Sequence, residues 1–514
     1  MKISPVVWGG VSFAALFCVV QASGQTLGNW STARNDAGHA GVQKAEKIIT
    51  KDNLSSEFKF LWKIKLGTAA GDSRSYSEPL LIPRLINAHG FKDFVIWAGP
   101  QDVYAVDSEL GTMLWQKHYD AAPAASCGIS NMAMLMEPPA VINFGARRAP
   151  GTPPPQPQPP LAVSARRVGV SAGGGGFGLK GIYVLTADGY LHEQVVATGA
   201  DFAPPVKFLP GPGGVSKGIS IEGKTLYSVT SSGCGAENAL YAIDVNSPSY
   251  PVYRYSTNAV PQLVAMGPTL GDGVAYVVTG KGSTDASAGI YSNSIVALTP
   301  DAKVKDWFTP AGEGELHNVT PVAFTYKQKK LLVAPGKDGS FVLLDAESLG
   351  GTDHQTPLAQ TASISKVNED APSALAVWQD AAGAAWVFAS IPGQVDAAKF
   401  GMTNGLVSHG SIVAFKIEDE GGKWLLAPQW ISHDFVNPAP PVIANGMVVV
   451  LAQGNASTHA KLFLLDAANG KELYSSGDSI GTYAHMAGVA VGDGHVFFVT
   501  HDNMLYSFGI GLEH

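Results

Sequence analysis

Five histidines that could ligate a metal lie in predicted loops or at strand edges in the second half of the chain: His317, His409, His433, His459 and His485. Imidazole is a common ligand of transition metals. Ligands this far apart in sequence share an ion only if the fold brings their loops together. No His-x-His or His-x₃-His spacing is present. Ordinary hydrogen-bonded histidines are therefore the favoured interpretation, and we predict no metal site.

Several other kinds of chemistry are excluded by composition and motifs. The chain of 514 residues has 34 basic and 42 acidic residues, a net charge of −8, and no dense Lys/Arg run, which argues against a nucleic-acid partner. Three cysteines are too few for a four-cysteine metal site, and no Cys-x-x-Cys-His occurs, so we expect no covalently attached haem. No Lys-Ser/Thr follows the glycine run at 173–176, and no Gly-x-Ser-x-Gly is present.

The N-terminus has the pattern of an export signal. Lys2 precedes an apolar run at 6–20, and small residues at 22–24 offer a cleavage site. The interpretation is a signal peptide at 1–24 and a secreted or periplasmic protein, with a retained N-terminal anchor as the alternative. No later run reaches the roughly 20 apolar residues of a membrane span, so the mature chain should have no transmembrane segment. Cys127 and Cys234 could then form a disulfide or remain two separate thiols.

A repeat organises the rest of the chain. Each unit has three or four short apolar or alternating strands, separated by Gly-rich, Asp-Gly or Asn-Gly turns. The units span 77–120, 136–210, 217–257, 266–310, 319–361, 373–430, 437–478 and 484–510. A period of about 40–50 residues with four strands per unit predicts an all-β fold, a single eight-bladed β-propeller with four antiparallel strands per blade. Seven blades is the alternative, if the second or sixth unit does not form a full sheet.

The predicted domain boundaries follow from this repeat. The last unit lacks an outer strand, and the apolar alternation of 58–67 can supply it, so the N-terminal strand is expected to close the ring. The chain is then divided into an N-terminal extension at 25–57 and the propeller at 58–514. A Pro/Gly-rich insertion loop occupies 145–180, either as a surface excursion or as a polyproline docking segment.

A second periodic pattern coincides with the third and fourth strands of several units. It places Ala, Asp, Gly and an aromatic residue at relative positions 1, 3, 7 and 11. Its copies are Ala105, Asp107, Gly111 and Trp115, then Ala297 and Trp307, then Leu464, Asp466, Gly470 and Tyr474. Asp and Gly favour the turn, and the aromatic residue is expected to stack between neighbouring blades.

This pattern resembles the tryptophan-docking repeat of the quinoprotein (pyrroloquinoline quinone, PQQ) dehydrogenase superfamily, over nearly all of the mature chain. The opening segment is similar as well, through Trp30, Arg34, Asp36, Ile49, Asn53, Leu54 and Trp62. So are TGKGSTDASAGIYSNSIVAL at 279–298 and GKDGSFVLLD at 336–345. The resemblance implies the propeller fold.

The resemblance also implies where a cofactor site would lie. In the family, PQQ sits at one end of the axis beside a calcium ion held by a Glu and an Asn, with an Asp as general base. Lys337 falls where the family has an Arg or Lys bonded to the quinone oxygens. Lys281 replaces the calcium-ligating Asn, and an ammonium repels a divalent cation. The segment carrying the base is replaced by 309–321, in which Glu313 or Glu315 could substitute.

Two functions follow from these departures. The first is an exported propeller with a degenerate PQQ/calcium site, working as a scaffold for a protein or small-molecule ligand at the axis, as in the outer-membrane assembly proteins that the resemblance also reaches. The second is a PQQ-dependent alcohol or sugar dehydrogenase, with Lys337 polarising the quinone, Glu313 or Glu315 as base, and a separate electron acceptor. Lys281 and Lys337 would clamp a quinone or another anion, or are simply two solvated lysines.

Overall fold

The computed structural model describes residues 28–67, 77–87, 90–120, 132–136, 181–210, 215–231, 237–257, 267–312, 314–364, 374–484 and 488–511. The predicted signal peptide, the insertion loop, Cys127, Cys234, Glu313 and His485 lie outside these residues. Strands dominate the described part. Its helical elements are three short 3-10 turns, Ala286–Ala288, Gly351–Asp353 and Ala397–Lys399.

The strands are numbered in chain order. Strands β1 (Val42–Gln43) and β2 (Phe58–Lys65) precede the first blade. Blade 1 is β3 (Leu80–Asn87), β4 (Gly90–Ala98), β5 (Asp102–Asp107) and β6 (Met113–His118); blade 2 is β7 (Ala133–Met136), β8 (Gly181–Leu185), β9 (Tyr190–Val195) and β10 (Val206–Lys207). Blade 3 is β11 (Val215–Glu222), β12 (Thr225–Ser231), β13 (Ala239–Asp244) and β14 (Val252–Ser256); blade 4 is β15 (Thr269–Gly271), β16 (Val274–Val278), β17 (Ile295–Leu298) and β18 (Val304–Phe308).

The remaining blades continue in the same order. Blade 5 is β19 (Val322–Tyr326), β20 (Lys329–Pro335), β21 (Phe341–Asp345) and β22 (Ala359–Gln360); blade 6 is β23 (Ala376–Gln379), β24 (Ala385–Pro392), β25 (Met402–Thr403), β26 (Gly410–Glu420) and β27 (Lys423–Ile431). Blade 7 is β28 (Val442–Ala444), β29 (Met447–Ala452), β30 (Lys461–Asp466) and β31 (Glu472–Ser475); blade 8 is β32 (Ala490–Gly492), β33 (His495–Val499), β34 (Met504–Ile510) and β2.

The blades form a closed ring. The first strand of each blade contacts that of the next, from β3 through β7, β11, β15, β19, β23, β28 and β32 back to β3, so these strands surround a central axis. Strand β2 pairs antiparallel with β34, from Phe58 opposite Ile510 to Lys65 opposite Met504. The predicted eight blades and the closure by the N-terminal strand are thereby confirmed.

The burial of the strands explains the apolar pattern of the sequence. The second and third strands of a blade are packed between two neighbouring blades, and strands such as β8, β16 and β29 are buried at every residue. The outer strand has one face toward water, and β6 alternates between partly buried and exposed side chains. A fully apolar run therefore marks an inner strand, and alternation marks an outer one.

Three blades differ from the sequence-based assignment. The inner strand of blade 2 is β7, which begins before the predicted unit, and the apolar run predicted for it at 140–144 lies outside the described residues. Blade 6 has a fifth strand, β25, parallel to β27. Blade 7 also has a fifth strand, because β1 from the N-terminal extension pairs in parallel with β28.

Three tryptophans of outer strands join neighbouring blades in one common arrangement. Each indole ring covers a glycine of the next blade, and its Nε1–H donates to the carbonyl three residues before that glycine. The sets are Trp62 with Gly111 and Ser108 (3.0 Å), Trp115 with Gly199 and Val196 (2.8 Å), and Trp430 with Gly470 and Ala467 (3.0 Å). A Cβ on these glycines would lie within 2.6 Å of the ring.

The other aromatic residues of the predicted pattern also reach the next blade. Trp307 of blade 4 stacks on His354 of blade 5, with ring centroids 3.7 Å apart. Tyr474 of blade 7 packs edge-on against Phe58 of blade 8 at 4.8 Å. Trp62 and Trp430 were not part of the predicted pattern. Trp430 lies in the sixth unit, which has an insertion, and Trp62 lies outside the eight repeats in sequence.

An axial segment, residues 28–46, runs around the inside of the ring. Its backbone or side chains bond to the first strands of all eight blades. From blade 1 to blade 8, the bonded pairs are Leu81 with Trp30, Met136 with Ser31, Ser220 with His39, Leu270 with Ala37, Ala323 with Gly38, Val377 with Ala40, Ile443 with Gly41 and Val491 with Gln43. The N-terminal extension, whose structure was not predicted, thus fills part of the axis.

The segment leaves the axis along one face of the ring. We call this the lower face; it carries the turns between first and second strands and between third and fourth strands. There the Asn445 amide donates to the Ile49 carbonyl at 3.0 Å, and the Gly494 N–H donates to the Glu46 carboxylate at 3.1 Å. The upper face carries the loops between second and third strands and the connections between blades.

Candidate functional site

The residues singled out by the sequence lie in three adjoining loops of the upper face. Lys281 follows β16 in blade 4, and Lys337 follows β20 in blade 5. Glu315 and His317 lie in the connection from blade 4 to blade 5. These four residues, Lys281, Glu315, His317 and Lys337, are called the upper-face site below. The structure brings Lys281, Lys337 and Glu315 together, whereas Glu313 lies outside the described residues.

Backbone hydrogen bonds position the connecting loop. The Lys337 N–H donates to the Glu315 carbonyl at 2.8 Å, and the His317 N–H donates to the Pro335 carbonyl at 2.9 Å. From blade 4, the Asn293 amide donates to the Gly314 carbonyl and its oxygen accepts the Leu316 N–H, both at 2.8 Å. The loop is therefore fixed as a short added strand beside β20, which directs the Glu315 side chain toward both lysines.

Both lysines bind the same carboxylate. The Lys337 ammonium lies 2.7 Å from Glu315 Oε2, and the Lys281 ammonium bonds to Oε1. These hydrogen bonds, first from Lys281 and then from Lys337, lower the pKa of Glu315 to about 2. A carboxylate held this acidic is a poor general base at neutral pH, because efficient bases have a pKa near the working pH. The geometry does not favour Glu315 in the base role that the resemblance suggested.

His317 completes the site as a neutral imidazole. Burial, followed by the nearby Lys337 charge, lowers its pKa to about 4. Its Nδ1 is buried and forms no hydrogen bond with the described residues. At neutral pH the site therefore contains two ammonium groups, one carboxylate and one neutral ring, a net charge of +1.

This donor set does not fit a calcium ion. Hard cations need several oxygen ligands, and Glu315, the acid of the site, is already bonded by two ammonium groups. A calcium ion there would displace those bonds and lie beside two positive charges. The set fits an anionic group instead, which could take the place of the Glu315 carboxylate between the lysines.

The other candidate histidines do not gather around one point. His409 bonds through Nδ1 to Asp434 at 2.6 Å, His433 lies 2.9 Å from Glu472, and His459 is exposed. Within the described ranges, the grouping of possible metal ligands whose atoms lie within 4.8 Å of one another contains no histidine. The hypothesis of a five-histidine site is therefore not supported by the positions of His317, His409, His433 and His459.

That grouping is Asp93, Glu109 and Asp493, which sequence reasoning missed. It lies on the lower face at the junction of blades 8 and 1, and His495 lies 3.1 Å from Glu109. Burial, then the Asp93 charge, raises the pKa of Asp493 to about 6. Asp493 is about 400 positions from its partners, and no local motif marks the group in the sequence.

Comparisons with known proteins support the fold. The chain has 14% identity to a quinohemoprotein alcohol dehydrogenase from Comamonas testosteroni, with a TM-score of 0.57 over 95% of this chain and 81% of that one. A similar enzyme from Pseudomonas putida gives 12% identity and a TM-score of 0.59, over 95% and 81%. A europium-containing methanol dehydrogenase has 13% identity to the chain and a TM-score of 0.57, over 94% of this chain and 98% of that one.

These similarities show that the chain shares its propeller fold with these dehydrogenases. At such identities they concern the fold alone. No protein-family model matches the chain, and no curated protein matches it. None of the helices described is long and apolar enough to cross a membrane.

Proposed function

We propose that the protein is an exported binding propeller whose upper-face site takes an anionic group, and that it is not a calcium–PQQ dehydrogenase. The observation that carries this proposal is the Glu315 carboxylate bonded by both Lys281 and Lys337. It makes Glu315 a poor base and opposes a metal ion at the same place. The axial segment fills part of the axis and leaves along the lower face, so a partner or small molecule at the axis would approach from the upper face.

In this proposal Glu315 acts as an internal competitor. An incoming carboxylate would exchange with the Glu315 carboxylate between the lysines. The exposed fractions of Lys281 and Lys337 are 75% and 45%, so both ammonium groups are accessible from solvent. Binding at such an exposed pair is weakened by salt.

The test is a calorimetric titration with PQQ, a tricarboxylate, with and without calcium, on four proteins: the native chain, Glu315→Gln, Glu315→Asp and Lys281→Met/Lys337→Met. We expect calcium-independent binding that tightens by about tenfold in Glu315→Gln, which leaves both lysines without their carboxylate. The double lysine variant should not bind, and Glu315→Asp should behave like the native chain. Calcium-dependent binding, or equal binding by all four proteins, would refute the proposal.

The second candidate is a PQQ-dependent alcohol or sugar dehydrogenase. The fold similarity and the position of Lys337 support it. Such an enzyme would require a separate electron acceptor, because the sequence has no haem attachment motif. Reduction of an artificial dye by the PQQ- and calcium-loaded protein with alcohols or sugars would establish this candidate. We expect none above a matched heat-inactivated control.

Two further parts of the proposal concern export and the repeat. Residues 1–24 would be removed on export, and N-terminal sequencing of the protein from the periplasm or medium should begin at Gln25 rather than Met1. An intact Met1 would instead indicate a retained anchor. The shared geometry of Trp62, Trp115 and Trp430 supports assigning these residues to the tryptophan-docking repeat.

A further inference from the structure

A pocket of about 360 Å³ opens on the lower face between blades 4 and 5, away from the upper-face site. Its lining includes Asp36 of the axial segment, the carboxylates Glu222, Asp272 and Glu347, the aromatic rings of Tyr276 and Phe324, and Lys305 and Lys330. The volume is within the range of small-molecule sites. We call it the lower-face pocket.

The axial segment forms one wall of this pocket. The Leu270 N–H donates to the Ala37 carbonyl at 2.7 Å, and the Ala323 N–H donates to the Gly38 carbonyl at 2.9 Å. At Gly38 a Cβ would lie 2.4 Å from the Ala323 carbonyl oxygen, so only glycine permits this approach. These contacts hold Asp36 in a fixed position between the two blades.

Acidic groups outnumber basic groups around the pocket. Four carboxylates, from Asp36, Glu222, Asp272 and Glu347, face two ammonium groups, a net charge of −2. The Lys330 ammonium already lies 3.1 Å from Asp272 and 3.2 Å from Glu347. Lys330 is therefore shared between two acids and does not neutralise the pocket.

Asp36 provides the charge nearest the axis. One of its oxygens accepts the Ala40 N–H at 2.9 Å, and in the part of the chain described here it has no ion-pair partner within 4.0 Å. Burial raises its pKa, with the charges of Lys44 and Arg34 opposing that effect. An organic cation bonded to this carboxylate would offset the cost of burying it.

The aromatic rings suit the same class of ligand. Tyr276 is held by a hydrogen bond from its hydroxyl to the Ala346 carbonyl at 3.3 Å, and Phe324 is partly exposed in the wall. Aromatic faces attract ammonium groups and also pack against methylenes. A chain of methylenes between spaced ammonium groups could therefore lie between a carboxylate at the axial wall and the carboxylates of the surrounding turns.

We propose that the lower-face pocket binds a short linear di- or triamine, with one ammonium on Asp36 and another near Glu222 and Asp272. This site is independent of the proposed function of the upper face. Its matching features are the net negative charge, the presence of carboxylates both on the axial wall and on the turns, and the two aromatic side chains of the lining.

Isothermal titration with spermidine and putrescine, at moderate ionic strength, tests the proposal on the full chain. We expect one saturable site for spermidine, and about tenfold weaker binding by Asp36→Asn. Asn keeps an oxygen for the Ala40 N–H, and removing a buried charge should preserve folding. Glu222→Gln is a second variant, because its amide oxygen can still accept the Gly273 N–H that Glu222 binds at 2.7 Å.

The matched control is Asp478→Asn, which removes one charge from an exposed carboxylate outside the pocket. It should bind spermidine as the native chain does. Equal losses in Asp36→Asn and Asp478→Asn would show general attraction to an acidic protein and would overturn the proposal. Absence of saturation in the native chain up to about 10 mM spermidine, where binding free energy falls below about 3 kcal/mol, would also overturn it.

Discussion

The Arg34 guanidinium donates to the Pro441 carbonyl at 2.6 Å, across a sequence separation of 407 residues. The same nitrogen donates to the Leu375 carbonyl at 2.9 Å. Leu375 and Pro441 immediately precede the first strands of blades 6 and 7. One buried side chain of the axial segment therefore connects two neighbouring blades at the centre of the ring.

Replacing Arg34 should destabilise the whole propeller. Arg34→Met keeps most of the apolar volume but leaves the Leu375 and Pro441 carbonyls without this donor. Because an unsatisfied buried polar group costs about 1–3 kcal/mol, we expect a loss of about 3 kcal/mol in the free energy of unfolding, measured in urea. Arg254→Met removes an exposed ion pair with Glu237 and should change the free energy of unfolding by less than about 1 kcal/mol. Equal effects of the two substitutions would contradict this role of Arg34.

The contrast between blades and axial segment shows what the sequence could predict. Blade strands are visible because their burial is reflected in the apolar pattern of the sequence, as an alternation in β6 and as a fully apolar run in β16. Residues 28–46 have no such pattern, since their conformation is set by backbone and side-chain hydrogen bonds to eight separate strands. Trp30 and Arg34 were recognised only by resemblance, and their positions in the ring could not be derived from local sequence.

The candidate sites differ in the same way. Lys281 and Lys337 were found because each falls where the resemblance places a residue of the cofactor site. Their shared partner Glu315 depends on how the connection between blades 4 and 5 pairs with β20, which the residue types alone do not determine. The group around Asp493 is formed where the two ends of the repeat meet, so its members are distant in sequence.

The junction between blades 6 and 7 offers a direct test of the tryptophan contacts. Trp430→Phe should lower the free energy of unfolding by about 2 kcal/mol, because it removes the bond to the Ala467 carbonyl and part of the ring that covers Gly470. Trp378→Phe is the control, since a Cβ on Gly446 would lie about 3.9 Å from that ring, which is an ordinary contact distance. Guanidinium unfolding measures both. A larger loss of unfolding free energy in Trp378→Phe than in Trp430→Phe would show that the contacts of Trp430 do not stabilise the fold more than those of another tryptophan.

The Glu315 carboxyl group should titrate near pH 2. Selective ¹³C labelling of glutamate, with Glu315→Gln to assign the signal, follows its protonation by NMR. In Lys281→Met/Lys337→Met the midpoint should return toward the ordinary value of 4.5, because the two hydrogen bonds that lower the pKa are lost. Lys224→Met, which removes an ion pair in blade 3, should leave the Glu315 midpoint unchanged. An unshifted midpoint in the native chain would show that the lysines do not hold Glu315 in solution.

Asp493 should make the propeller less stable as the pH rises. Its pKa is about 6 in the folded chain against an ordinary value of 3.8, so the folded state binds the proton more tightly than the unfolded state. The free energy of unfolding must therefore fall between about pH 4 and pH 6 through this group. Asp493→Asn lacks this decrease, and at pH 8 we expect it to be more stable than the native chain by about 2 kcal/mol.

The difference in the free energy of unfolding between the native chain and Asp493→Asn isolates the effect of Asp493, because the other titrating groups are common to both proteins. Asn also tolerates the left-handed backbone at this position, where φ is 51°, so a backbone effect would add the same offset at every pH. Urea unfolding at pH 4 and at pH 8 gives the difference in the free energy of unfolding between the variant and the native chain. Asp478→Asn is the exposed control, and its difference from the native chain should be the same at both pH values. An Asp493→Asn difference that does not grow with pH would mean that the Asp493 carboxylate is ionised at no cost, and that burial and the Asp93 charge do not act on it as the structure indicates.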